Sequence, residues 1–374
     1  METKSFSKKE QKHINRLKKR IEGDPRDSFA AFELVQILAA AGRKEEAFER
    51  CRILSRLENL PPTILEATAK FYFENKQFED AKPLFERLAE EFPRRALPRY
   101  YLGRIYDQMG RLNDAIAEHQ KAIELEPSSA ECYYRYGVTL ARNEQGEEAE
   151  RCYHKAISLD RAHAKAYTNL GLILDLKGDE DAALRLFRKA VQYNPQSAEA
   201  HFNLGAIYGE SGQHNRAIKE FRAAIALDPN SLEGHFNMGL SLYEIGDLDS
   251  ALEAFKKVTK IDHSHEEAQY YLGMVYFRKG VYGKALKCFQ QILQNNPENP
   301  TILYHIGVCY NRMDQPKKAI PPLKKVTEID PEDGKAYYYL GVVYDKAGQS
   351  EEAKANYRVA DEKFQKSERR SETA

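Results

Sequence analysis

Little in this chain is spaced for catalysis. The tightest group among its ten histidines is His263-Ser264-His265, two imidazoles with no Cys or carboxylate at a spacing that would complete a tetrahedral metal shell. The five cysteines (Cys51, Cys132, Cys152, Cys288 and Cys309) contain no CxxC pair, and their odd number fits reduced, buried thiols rather than a disulfide framework. None has a histidine at a partnering spacing. There is no P-loop, no GxGxxG opening a helix after a strand, no HExxH and no GxSxG. No catalytic residue, cofactor or metal site is therefore expected, and the protein reads as a non-enzyme.

What recurs is the chemistry of recognition. "YTNLG" (167–171), "HFNLG" (201–205) and "HFNMG" (235–239) place Asn169, Asn203 and Asn237 at intervals of 34 residues. A carboxamide offers an acceptor and two donors, which matches the C=O and N–H of an extended backbone. Arg135 holds the same phase before them, and Tyr271, His305 and Tyr339 hold it after. One residue earlier stands an aromatic series, Phe32, Tyr100, Tyr134, Phe202, Phe236, Tyr270, Tyr304 and Tyr338, interrupted by Glu66 and Thr168. Such rings give a ligand apolar area and, in tyrosine, a hydroxyl; the competing reading is that they pack against neighbouring helices as core. His201 and His235 share one phase and read as occupants of the large-residue slot filled elsewhere by Tyr133, Tyr167 and Tyr337.

The elements that must hold these residues follow from the period. Starting at Ser28, ten blocks of 34 residues run to 367 without an insertion. Place 20 of every block is alanine, from Ala47 to Ala353, and place 8 is glycine in the last eight blocks, with Val35 and Ala69 in the first two. Within 198–231, Leu204, Gly205 and Tyr208 share one face of a first helix, and Ala217, Phe221 and Ala224 share one face of a second. Gly212 between them ends the first helix, and Pro229 closes the second. A helical glycine costs roughly 1 kcal/mol against alanine, so its recurrence calls for a steric reason, and close approach of two backbones supplies one.

This pattern resembles the tetratricopeptide repeat family. The resemblance implies an all-α, right-handed superhelical solenoid of about ten helix-turn-helix units, with the first helices lining a concave groove. It implies little about chemistry. The Asn triplet is similar to the asparagine ladder in the superhelix of O-GlcNAc transferases, which holds target polypeptides by their backbone. The carboxylate clamp of chaperone-binding members needs Lys at place 5 and Asn at place 9, and neither occurs here. If first helices line a groove, its wall carries Asn169, Asn203, Asn237, Tyr134, Phe202, Phe236, Tyr270, Tyr304, Tyr338, Arg135, Glu199 and Glu233. Glu199, Glu233 and Glu267, with Glu210 and Glu244, put acids around the Asn segment; Arg99, Arg104, Arg135 and Arg142 precede it, and Arg278, Arg312 and Lys346 follow. A segment with basic residues at its middle would be steered there, although ordinary solvated helix faces would look the same.

The domain reading is an N-terminal capping helix in 1–27, ten repeats in 28–367 and a polar tail in 368–374, with no linker and hence one structural unit. Pro321 and Pro322 fall early in a second helix, where a local irregularity is expected. Lys+Arg and Asp+Glu are equal at 57 each, so no global charge favours nucleic acid or membrane. A mean hydropathy of −0.67 suits an elongated body of thin layers. The N-terminus has no apolar signal region, and no run approaches the roughly 18 apolar residues of a membrane helix; a cytoplasmic protein is expected. The leading reading is a scaffold or adaptor for a protein or peptide partner. A recognition subunit for a separate enzyme, such as a glycosyltransferase acting in trans, and a self-assembling lattice (a homo-oligomer) are the alternatives.

Overall fold

The computed structural model describes residues 6–372, with side chains to 366. Every element among the described residues is an α-helix. By their contacts the helices form two compact units, one ending at Tyr193 and the other beginning at Asn194. The sequence shows no linker at this point and reads as one unit; the division falls inside an unbroken period.

The first unit opens with α1 (Lys8–Gly23), which starts where Ser7 and Glu10 cap each other's backbone amides and buries Ile14 and Leu17. There follow α2 (Ser28–Ala40), α3 (Lys44–Ser55), α4 (Pro62–Glu74), α5 (Phe78–Glu91), α6 (Ala96–Gln108), α7 (Leu112–Leu125), α8 (Ala130–Arg142), α9 (Gly146–Leu159), α10 (Ala164–Leu176) and α11 (Glu180–Tyr193). The second unit holds α12 (Ala198–Glu210), α13 (His214–Leu227), α14 (Leu232–Glu244), α15 (Leu248–Ile261), α16 (Glu266–Arg278), α17 (Tyr282–Asn295), α18 (Pro300–Arg312), α19 (Pro316–Ile329), α20 (Gly334–Lys346) and α21 (Ser350–Glu372). The polar tail at 368–374 is thus helical as far as it is described; residues 373 and 374 lie outside the described residues. Helix α19 runs unbroken through Pro321 and Pro322, so the expected irregularity does not interrupt it.

Each first helix packs on the second helix that follows, and within each unit that helix packs on the next first helix. Two features of the sequence enforce this. All ten place-20 alanines are fully buried at 0% exposure, the point where a larger side chain would part the helices. The turn after a first helix is closed by a left-handed residue: at Gly212 φ is +71°, and the Gln213 amide donates to the Tyr208 carbonyl at 2.7 Å. Lys76, Glu144 and Asp314 adopt the same conformation without being glycine.

Candidate functional site

The faces of the first helices are organised around the side chain at place 24 of each block, in the middle of the second helix. In the last eight blocks it lies against the place-8 glycine of its own first helix. A methyl group built on Gly205 would stand 2.8 Å from Phe221 Cδ1, and one on Gly341 2.5 Å from Tyr357 Cε1. The place-5 ring meets it too, with centroid separations of 6.1 Å for Tyr134–Tyr153, 5.9 Å for Phe202–Phe221, 5.9 Å for Phe236–Phe255, 6.2 Å for Tyr270–Phe289 and 5.8 Å for Tyr338–Tyr357. The place-6 side chain of the following block adds a third contact. Tyr101 stacks on Phe85 at 4.6 Å, Tyr271 on Phe255 at 5.5 Å and His305 on Phe289 at 5.4 Å.

This geometry splits the aromatic series. Tyr134 is buried, 7% exposed, and its ring is covered by His163 at 4.8 Å. Phe202, Phe236, Tyr270 and Tyr304 are half-buried, and Tyr304 packs on Tyr339. Tyr338 is 48% exposed. The rings serve packing between helices first, and only the outer edges of some remain for a ligand.

The Asn series divides as well. Asn169 donates from Nδ2 to the Tyr153 hydroxyl at 3.2 Å and belongs to the first unit. Asn203 and Asn237 lie half-buried on α12 and α14 of the second, and Asn203 Nδ2 is buried without a hydrogen-bond partner. Glu199 and Glu233 are exposed, and neither forms an ion pair among the described residues.

The histidines resolve into structural roles. His265 caps α16, its Nδ1 accepting from the Ala268 amide at 3.2 Å, and its ring lies 5.0 Å from Phe236; His163 caps α10 in the same way. His201 and His235 each bond the proline carbonyl six residues earlier through Nε2, at 3.2 and 3.1 Å. Among the described residues no group of side chains is placed to hold a metal ion. All five cysteines are buried, and burial pushes the thiols of Cys51 and Cys309 up to about 12 and those of Cys152 and Cys288 to about 11, the wrong direction for a nucleophile.

Cavities open between successive first helices. In the second unit, one of about 750 Å³ lies among α14, α16 and α18, lined by Phe236, Leu240, Tyr270, Tyr271, Ile302 and, at its polar part, Glu266 and Glu267. Both glutamates are exposed, and neither has an ion-pair partner among the described residues. In the first unit, one of about 390 Å³ lies among α4, α6 and α8 and includes Arg104 and Arg135. The four arginines of this region differ. Arg99 pairs with Glu118 at 3.0 Å, Arg135 with Glu131 at 2.7 Å and Arg142 with Asp107 at 2.6 Å, whereas Arg104 meets no carboxylate among the described residues. Burial alone would raise Glu131, but hydrogen bonds from His163 and Arg135 hold it down at about 2. Glu131, on α8, is a residue of this region that sequence spacing did not single out.

The model of the family described as Cilia and flagella-associated protein 70 C-terminal domain matches residues 164–374, more than half of the chain, and tetratricopeptide repeat models match 72–118, 103–144 and 134–192. The chain belongs to that tetratricopeptide repeat family. No curated protein sequence matches it. Solved structures do. The C-terminal part of a repeat protein from Cytophaga hutchinsonii is 18% identical over 64% of this chain and 98% of its own, with a TM-score of 0.51, a likeness of fold alone. YrrB, described as a TPR protein with an unusual peptide-binding site, is 29% identical over 50% of this chain and 95% of its own, with a TM-score of 0.47. MamA from Desulfovibrio magneticus is 24% identical over 45% and 96%, with a TM-score of 0.44. No helix among the described residues is long and apolar enough to cross a membrane.

Proposed function

We propose that this tetratricopeptide repeat protein is a non-catalytic scaffold that binds an extended polypeptide segment across the faces of its first helices. Each helix pair is taken as one repeat, ten in 28–367, with 1–27 as a cap and 368–374 as a polar end. The observation that carries the reading is the cavity of about 750 Å³ among α14, α16 and α18. Its size is that of a ligand site, its floor is aromatic and aliphatic, and its polar part includes, beside Asn299 and Thr301, two carboxylates without an ion-pair partner among the described residues. Such a surface takes an apolar side chain flanked by Lys or Arg: the apolar group leaves water, and the cations meet the exposed carboxylates of Glu266 and Glu267. The family description makes proteins of cilia or flagella the first place to look for the partner.

The test uses a photo-crosslinking residue at Thr301, which lines the cavity, in the full chain in extract of ciliated cells. Adducts lost in Glu267→Lys and Leu240→Glu, with helicity unchanged, support the reading. Identical adducts in wild type and both variants remove this cavity from it.

A further inference from the structure

The cavity among α4, α6 and α8 has a different chemistry. The Arg104 guanidinium is half-buried, with its Cζ 4.5 Å from the centroid of Phe73 and 5.3 Å from that of Tyr100. Among the described residues its side chain donates one hydrogen bond, to the Tyr100 hydroxyl at 3.2 Å. That hydroxyl donates onward to Glu131 at 3.1 Å, the carboxylate that also takes Arg135. The two arginines are thus braced through Tyr100 and Glu131, and Arg104 keeps most of its five N–H groups without an acceptor. A planar cation stacked on rings and lacking a carboxylate is poised for an oxyanion.

Three further observations point the same way. Lys76 lines this cavity from the turn after α4, at φ +61°, where most other blocks have glycine. A left-handed lysine is a strained choice, as are Glu144 and Asp314 at the same place, but of the three only Lys76 lines this cavity. His119 also lines the cavity, 1% exposed, with Nδ1 buried and unpartnered. The charge balance then sets the ligand. Asp107 is matched by Arg142 and the Thr139 hydroxyl, and Arg135 by Glu131. Arg104 and Lys76 remain against Glu74, which leaves one net positive charge.

We infer that this cavity binds the carboxylate of an acidic peptide side chain, held by Arg104 with Lys76 and Arg135 beside it and its aliphatic stem against Phe73 and Phe78. One net positive charge is balanced by a monoanion; a phosphate group, near two negative charges, would leave one charge uncompensated beside Glu74. The site stands independently of the cavity in the second unit, which is acidic and would reject the same peptide.

The experiment is fluorescence anisotropy of the full chain with a short fluorescein-labelled Glu-Ala peptide, its Gln-Ala counterpart and its phosphoserine counterpart. The Glu peptide binds, more weakly as salt rises, and the Gln peptide does not. Arg104→Gln weakens it about tenfold or more, the size of one charge-assisted pair. Lys76→Gly weakens it several-fold while the melting temperature holds or rises, because glycine relieves the left-handed strain, so the loss cannot be unfolding. Lys18→Gln, an exposed charge on α1, changes nothing. Equal binding of the Glu and Gln peptides, an unaffected Arg104→Gln variant, or an equal loss in Lys18→Gln overturns the site. A phosphoserine peptide that binds more than tenfold tighter overturns the carboxylate assignment.

Discussion

The side-chain amide of Asn169 donates to the hydroxyl of Tyr153, 3.2 Å away on the second helix of the preceding block. The first member of the Asn series is therefore already committed within the fold. The residue 16 places before Asn237 is Phe221, which has no hydroxyl to offer, so identical phase does not mean identical role. Removing either partner of a half-buried hydrogen bond should cost about 1 kcal/mol. Asn169→Ala and Tyr153→Phe should each lower the unfolding free energy measured by urea titration by that amount, and the double variant should lose little more than either single one. Additive losses would show that the pair contributes nothing to stability.

The place-8 glycines should resist alanine even though alanine is the better helix former. At Gly341 the new methyl would lie 2.5 Å from Tyr357 Cε1, and at Gly205 2.8 Å from the Phe221 ring. Overpacking costs about 1–3 kcal/mol, more than the roughly 1 kcal/mol gained in propensity. Gly205→Ala should therefore lower stability, and a second change, Phe221→Leu, should recover part of the loss. Gly283→Ala, where a methyl meets nothing within 4 Å, should instead raise it. Thermal unfolding of the three variants separates close packing from helix propensity.

Legibility in the sequence follows the same physics. The period exposed what every block must share: the alanine at place 20, the glycine at place 8 and the turn between the helices. It could not show what depends on a neighbour's identity. Arg99, Arg104, Arg135 and Arg142 look equivalent along the chain, yet only Arg104 lacks a carboxylate, because Glu118, Glu131 and Asp107 reach the other three. Tyr134 and Phe236 share a phase, but one is buried under His163 and the other lines a cavity. The helix-capping role of His265 was hidden because a cap is usually Ser, Asp or Asn.

The left-handed turn positions offer a gain in stability. Glu144 and Asp314 hold φ of +60° and +57° where Gly212 and most other blocks have glycine. A side chain in that region costs on the order of 1 kcal/mol. Glu144→Gly and Asp314→Gly should each raise the unfolding midpoint, and Gly212→Ala should lower it. Unchanged or lower midpoints in the first two would show that the side chains make compensating contacts.

Acid should weaken the fold well above the range where carboxylates titrate. Burial, reinforced for His119 by the nearby charges of Arg135 and Arg104, pushes His119 and His305 down to about 4 from an ordinary value near 6.5. Between these values the unfolded chain binds a proton that the folded one refuses, so stability rises with pH. The contribution is complete above about pH 6.5 and is lost as pH falls toward 4, on the order of 3 kcal/mol per residue if the whole shift is expressed. Glu131, held at about 2, works in a lower window: its contribution is present above its unfolded value near 4.5 and fades as pH falls toward 2. Urea midpoints measured from pH 8 to pH 5 should therefore decline in wild type. His119→Phe, which restores the ring found at place 24 in other blocks and removes an unpartnered buried nitrogen, should flatten that decline. An equally steep decline in the variant would mean that His119 is not the group being protonated.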